Sequence, residues 1–226
     1  YRGRFGGETK YVDGYMDSTV LTEVKTNDIT WAGAELTPQQ ATATYGCLPV
    51  PKEGTGYSER DGRKIFTKKI QIKGILIWTA QQTLTNTFDS GMARIVLVKD
   101  TRTNGVTLNA EDVLGPGTGS DGNPSKSADA ALMVATNPSG WGRYQILHDR
   151  VFKEPQIATY HDGVDGNTIS TQIPVNITVY PKCYVNFNAS SGAIGSIVDN
   201  SFHLIGANSS DLNISFSYTA RTSFVG

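Results

Sequence analysis

The sequence predicts an all-β protein, an eight-stranded antiparallel jelly-roll sandwich. Three observations predict it. The apolar runs are short and rich in Val, Ile, Tyr and Phe, the residues that suit a pleated, half-buried surface. Turn formers are plentiful, with 24 Gly among 226 residues and many Thr, Asn and Ser besides. No stretch has the length and 3.6-residue period of a long helix. About eight strands with long loops between some of them fit the two sheets of a jelly roll. An immunoglobulin-like sandwich would carry a spaced Cys, Trp and Cys framework, and this chain does not.

Residues 1–28 read as an N-terminal arm. Its opening, YRGRFGG, has no apolar period, and glycine-rich chain loses much entropy on ordering. Residues 29–226 read as a single jelly-roll domain. ITWAGAEL (29–36) is a short strand, followed by a long Pro- and Gly-studded connection. RKIFTKKIQIKGILIWTA (63–80) gives the strongest signal. With side chains alternating at period 2, Phe66, Ile70, Ile72, Leu76 and Trp78 form the core face, and Lys69, Gln71, Lys73, Ile75 and Ile77 the other.

MARIVLVKD (92–100) is the next strand, and the Asn-Gly pair after it marks a turn. Residues 115–127 are a loop by composition, and ADAALMVA (128–135) is the one short helix expected. WGRYQILHDRVF (141–152) and STQIPVNITVYPKCYVNF (170–187) are strand-like. Pro174 and Pro181 place the latter at a sheet edge or a break, because proline donates no ladder hydrogen bond. Residues 201–224 close the chain as a hairpin. From Ser170 onward the only charged residues are Lys182, Asp199, Asp211 and Arg221, which suits a surface covered by other subunits.

Composition excludes several classes. There is no run of about 18 apolar residues, hence no expected membrane insertion. Two cysteines, Cys47 and Cys183, are too few for a disulfide scaffold. The sequons at Asn176, Asn188, Asn208 and Asn213 read as unused, since a Ser/Thr-rich chain generates such matches and two of them fall in predicted strands. His148, His161 and His203 have no zinc-like spacing, and the turn holding Asp162, Asp165 and Asn167 lacks a closing glutamate for calcium. No metal or other cofactor is expected. No nucleophile elbow, zinc helix or phosphate loop occurs, and the adjacent pairs His148-Asp149 and His161-Asp162 point to opposite strand faces. No enzyme is expected.

The net charge is −1, from 20 basic and 21 acidic residues, so the distribution matters more than the total. Arg60, Arg63, Lys64, Lys68, Lys69 and Lys73 crowd one stretch, and Arg2 and Arg4 lie in the arm. These eight are the candidate phosphate contacts. The plain alternative is a strand face carrying lysines for solubility and to discourage edge pairing. Trp31, Tyr57 and Tyr1 lie near basic residues and could stack bases. Trp78 reads as core, and Trp141 as a subunit contact.

Four stretches resemble the capsid proteins of small circular single-stranded DNA viruses that encode a replication initiator, the circovirus-like and geminivirus-like group. They are residues 54–74, residues 93–105 with 108–114, RYQILHDRVF (143–152) and the terminal SYTARTSFVG (217–226). The resemblance implies a subunit that self-assembles with copies of itself into an icosahedral T=1 shell, about sixty copies, around single-stranded genomic DNA. It also implies a virion location, assembly in the host nucleus and a long basic arm, of which residues 1–28 would be the end. Outer loops would meet a host receptor or glycan. The alternatives are a lectin-like carbohydrate-binding jelly roll and the coat protein of a small RNA virus or satellite.

Overall fold

A computed structural model describes residues 24–36, 44–48, 50–81, 92–103, 105–106, 108, 113, 117–118, 124–125, 142–153, 168–208 and 213–226. The side chains of residues 27–36, 44–47, 79–81, 168–170, 207–208 and 213 lie outside that description, as do those of the short strands near residue 120. Arg2, Arg4, Trp141, the helix expected over 128–135 and the turn at 161–167 fall outside it altogether.

Twelve strands are described. They are β1 (Lys25–Leu36), β2 (Thr44–Leu48), β3 (Lys64–Gln81), β4 (Met92–Asp100), β5 (Gly117–Thr118), β6 (Pro124–Ser125), β7 (Tyr144–Lys153), β8 (Thr168–Val179), β9 (Cys183–Phe187), β10 (Ile197–Asp199), β11 (Ser201–Asn208) and β12 (Asn213–Val225). One sheet runs β1-β12-β3 and continues through β8 at one end of β3 and β9-β10 at the other. The second runs β2-β11-β4-β7. Every pairing between named strands is antiparallel.

This order is that of a jelly roll. Taking β1, β2, β3, β4, β7, β8, β11 and β12 as the framework in chain order, the first pairs with the last and the last with the third, while the second, seventh, fourth and fifth form the facing sheet. Strands β5, β6, β9 and β10 are additions to that framework. Strand β1 begins at Lys25, ahead of the predicted start at 29. Pro174 sits in β8, whose only described partner is β3, and Pro181 sits in the break between β8 and β9. Both positions avoid a missing ladder donor.

The core lies between the sheets. Ile70, Ile72, Leu76 and Trp78 from β3 and Phe216, Ala220 and Phe224 from β12 meet Ile95 and Leu97 from β4 and Phe202 and Leu204 from β11. Gly74 faces inward in this layer because nothing larger fits. A Cβ there would lie 2.5 Å from the Ser217 carbonyl and 2.7 Å from Phe216 Cε2, where the Phe216 and Tyr218 rings stack.

The two outer faces differ. That of the second sheet is covered, since Val96, Val98 and Ile205 pack against Leu108 and Val113 beyond β4 and against Tyr144 and Ile146 of β7. Strand β4 is therefore buried on both sides. Arginine–aspartate pairs clamp it to β7 at both ends, Arg143 to the fully buried Asp100 and Arg94 to Asp149. The outer face of the first sheet has no such cover among the described residues.

One expectation on β3 is corrected. Phe66 does not join the core face with Ile70. The register against β12 slips between Ser223–Lys69 and Phe224–Thr67, leaving Lys68 as an extra residue. A bulge of one residue inverts every side chain beyond it. Ile65 and Thr67 are buried, and Phe66 turns outward with Lys64.

Candidate nucleic-acid interface

The bulge at Lys68 creates a continuous outward row on the uncovered sheet. Beyond it the row holds Lys69, Gln71, Lys73, Ile75 and Ile77, the face that period-2 alternation assigned them, and before it the row holds Lys64 and Phe66. Without the slip, Lys64 would point to the core side. Lys69 and Lys73 lie roughly 13 Å apart along the strand, at about 3.3 Å per residue. Lys73 is exposed and Lys69 half-buried at its stem, the usual posture of a lysine lying along apolar surface. Across the ladder, uncharged Ser223 and Thr219 of β12 oppose Lys69 and Lys73, and exposed Arg221 between them opposes Gln71. Exposed Asn176 of β8 flanks Lys73 on the other side.

At its lower end the row meets β9. Lys64 opposes Asn186 and Phe66 opposes Tyr184. The Phe66 and Tyr184 rings stand edge to face, 5.0 Å between centroids, and the Lys64 ammonium lies 3.9 Å from the centre of the Tyr184 ring. Tyr184 remains 51% exposed. Asp199 places a carboxylate at this rim, where it accepts hydrogen bonds from the Asn186 backbone N–H and side-chain amide.

The eight predicted phosphate contacts therefore divide. Lys64, Lys69 and Lys73 share one outward row. Arg63 is exposed just before β3, and Lys68 occupies the bulge. Arg60 is a correction, because its side chain is fully buried. Its Nε donates to the Pro51 carbonyl at 3.1 Å, and its terminal nitrogens donate to the carbonyls of Gly62 and Ala189. Its guanidinium lies 4.3 Å from the Phe187 ring centre, with Glu53 at 3.5 Å as counter-ion. Burial pushes its pKa down and Glu53 opposes that shift, with the group still charged. Arg60 thus fastens the 50–62 loop to β9 and the loop after it, and is turned away from any phosphate.

Tyr184 was not legible as a site residue. It lies 120 residues from Lys64 in sequence, and only the pairing of β3 with β9 brings them together. Tyr57, expected near the basic cluster, is exposed at the tip of the loop between Gly54 and Glu59 and belongs to no described ring pair.

The second sheet holds a buried polar set. Ser201 Oγ lies 2.8 Å from His203 Nε2 and accepts from, or donates to, Thr103 Oγ1 at 2.7 Å. The distance is that of a nucleophile and its base. All three side chains are wholly buried, and among the described residues His203 Nδ1 has no partner that would orient the ring. Burial depresses the His203 pKa to about 4, against a smaller upward pull from Asp100 and with a further push down from Arg143. No group of three metal-ligating side chains occurs among the described residues. Among them, too, no helix is long and apolar enough to cross a membrane.

No protein-family model matches this chain, and no curated protein matches it. Chains of two solved viral particles are among those similar to it. A chain in the crystal structure of the T13 IBDV viral particle is 9% identical with a TM-score of 0.29, the match covering 90% of this chain and 31% of that one. A chain in the structure of infectious bursal disease virus Gx strain is 11% identical with a TM-score of 0.29, over 90% of this chain and 33% of that one. This chain thus spans about a third of their length. Likeness so remote bears on neither fold nor function, and the strand order stands without it.

Proposed function

We propose that this chain is a viral coat subunit whose copies close into an icosahedral shell around single-stranded DNA. The observation that carries the reading is the contrast between the outer faces of its two sheets. One is roofed by apolar side chains, and the other presents Lys64, Lys69 and Lys73 in one row. A shell must neutralise packed phosphate on its inner wall without reading bases, and a bare cationic sheet face does that. The same sheet face becomes apolar and uncharged further along β3, where Ile75 is 42% exposed beside Pro174 and Ser217. That half suits contact with other subunits.

The resemblance noted in the sequence extends this reading to a T=1 particle, a virion location with nuclear assembly, and a basic arm beginning before Arg2 and Arg4. The single shell-forming domain, expected from residue 29, would then begin at Lys25 with β1. Mass and absorbance of purified particles test it. A megadalton species whose 260 to 280 nm ratio marks nuclease-protected nucleic acid is expected. A small oligomer under all salt conditions, retained on a glycan surface, would replace the coat reading with the carbohydrate-binding one.

A further inference from the structure

We propose that Phe66 and Tyr184 form a stacking platform for unpaired bases, so that the interface takes single-stranded DNA in preference to duplex. The proposal rests on the nucleic-acid reading of the lysine row. It starts from an exposed aromatic side chain in β9. Val185 and Phe187 are buried in the main core, yet Tyr184 next to Val185 presents half its surface to solvent at the end of a cationic row. An aromatic cross-strand pair stabilises a sheet by its contact alone. That role does not require the pair to stand outside both apolar clusters, on the sheet face left uncovered by described residues, and in line with Lys64, Lys69 and Lys73.

The Lys64 ammonium now caps the Tyr184 ring. An exposed cation–π contact is weaker than base–aromatic stacking, so an arriving base displaces it and frees Lys64 for the adjoining phosphate. The lysines beyond the bulge then follow the backbone of the strand. Exposed Tyr180 and Lys182 lie in the break between β8 and β9, just ahead of Tyr184 in the chain. A duplex keeps its bases stacked on one another and offers this platform only phosphate. Because every base has a π-face, the preference is for strandedness and not for sequence.

Fluorescence anisotropy with the full chain tests the proposal, using labelled oligothymidylate of about twenty nucleotides and a duplex of equal length at fixed salt. The unsubstituted chain is expected to favour the single strand. Tyr184→Ala is expected to weaken single-strand binding about tenfold and leave duplex binding unchanged, whereas Tyr184→Phe retains both. Thermal melts establish that the variants fold. Equal binding of Tyr184→Ala and the unsubstituted chain overturns the platform. If Lys69→Ala with Lys73→Ala then weakens both probes, the phosphate row survives that loss. Binding of neither probe by the unsubstituted chain overturns the platform and the nucleic-acid reading together.

Discussion

The guanidinium of Arg60 lies over the ring of Phe187, 4.3 Å from its centre, and closes the 50–62 loop against the end of the sandwich. Removing it leaves the carbonyls of Pro51, Gly62 and Ala189 without their shared donor, the first of these bonds being buried and the other two partly so. Arg60→Ala is expected to lower unfolding free energy by about 3 kcal/mol in a urea titration. Arg60→Lys is expected to recover little of this, since an ammonium cannot span three carbonyls with a planar fork. Nucleic-acid affinity per folded molecule should stay within about twofold, because a buried cation meets no phosphate. A large affinity loss with stability intact would return Arg60 to the phosphate contacts.

Arg60 also marks the limit of what was legible. Spacing placed six bases close together, and for Lys69 and Lys73 the period of β3 assigned the correct face. The same period put Phe66 in the core, because a one-residue bulge at Lys68 leaves no mark in a stretch already rich in lysine. Strand existence was readable wherever alternation or β-branched runs were strong, as in β3 and β4. The jelly-roll order needed pairings such as that of β1 with β12, whose residues stand far apart in sequence. Tyr184 entered the interface through such a pairing, and no local pattern announced it.

Lys69 and Lys73 should act through charge. In the double variant Lys69→Ala with Lys73→Ala, the dependence of single-strand affinity on salt should flatten by about 1.4 in log–log slope, at about 0.7 for each phosphate no longer neutralised. Anisotropy titrations across a series of salt concentrations read this directly. Both side chains are outward and partly or fully exposed, so the melting temperature should barely move. An unchanged slope would make the lysines ordinary solvent-facing residues of the sheet.

Acid should loosen the second sheet. His203 is neutral and buried, with a folded pKa of about 4 against an ordinary value of 6.5. The unfolded chain therefore binds more protons between these values, and stability is full above pH 6.5 and falls as pH drops toward 4. The loss reaches about 3 kcal/mol, since each pH unit separating the folded and unfolded values is worth about 1.4 kcal/mol. His148 of β7 adds in the same direction, its pKa lowered by burial first and by Arg150 second. Urea midpoints at about pH 7, 5.5 and 4.5 measure the trend. His203→Gln should start less stable at neutral pH and lose less on acidification, and a variant tracking the parent at every pH would assign the acid sensitivity elsewhere.

Gly74 tests how closely β3 and β12 must approach. An added methyl would sit 2.5 Å from the Ser217 carbonyl and 2.7 Å from both Phe216 Cε2 and Tyr218 Cβ, distances that no rotamer change in alanine relieves. The carbonyl is ladder backbone, so the strands must part or the stacked Phe216 and Tyr218 rings must leave the core. Overpacking of this kind costs about 1–3 kcal/mol. Gly74→Ala is therefore expected to lower the melting temperature and, because these strands lie at the centre of the cationic sheet, to disturb the spacing of Lys69 and Lys73 as well. Trimming the obstruction offers the control. Phe216→Leu removes one of the three obstructing groups, so adding it to Gly74→Ala should destabilise by less than the sum of the single changes. Strict additivity would show that the two groups left in place, the Ser217 carbonyl and Tyr218 Cβ, set the penalty.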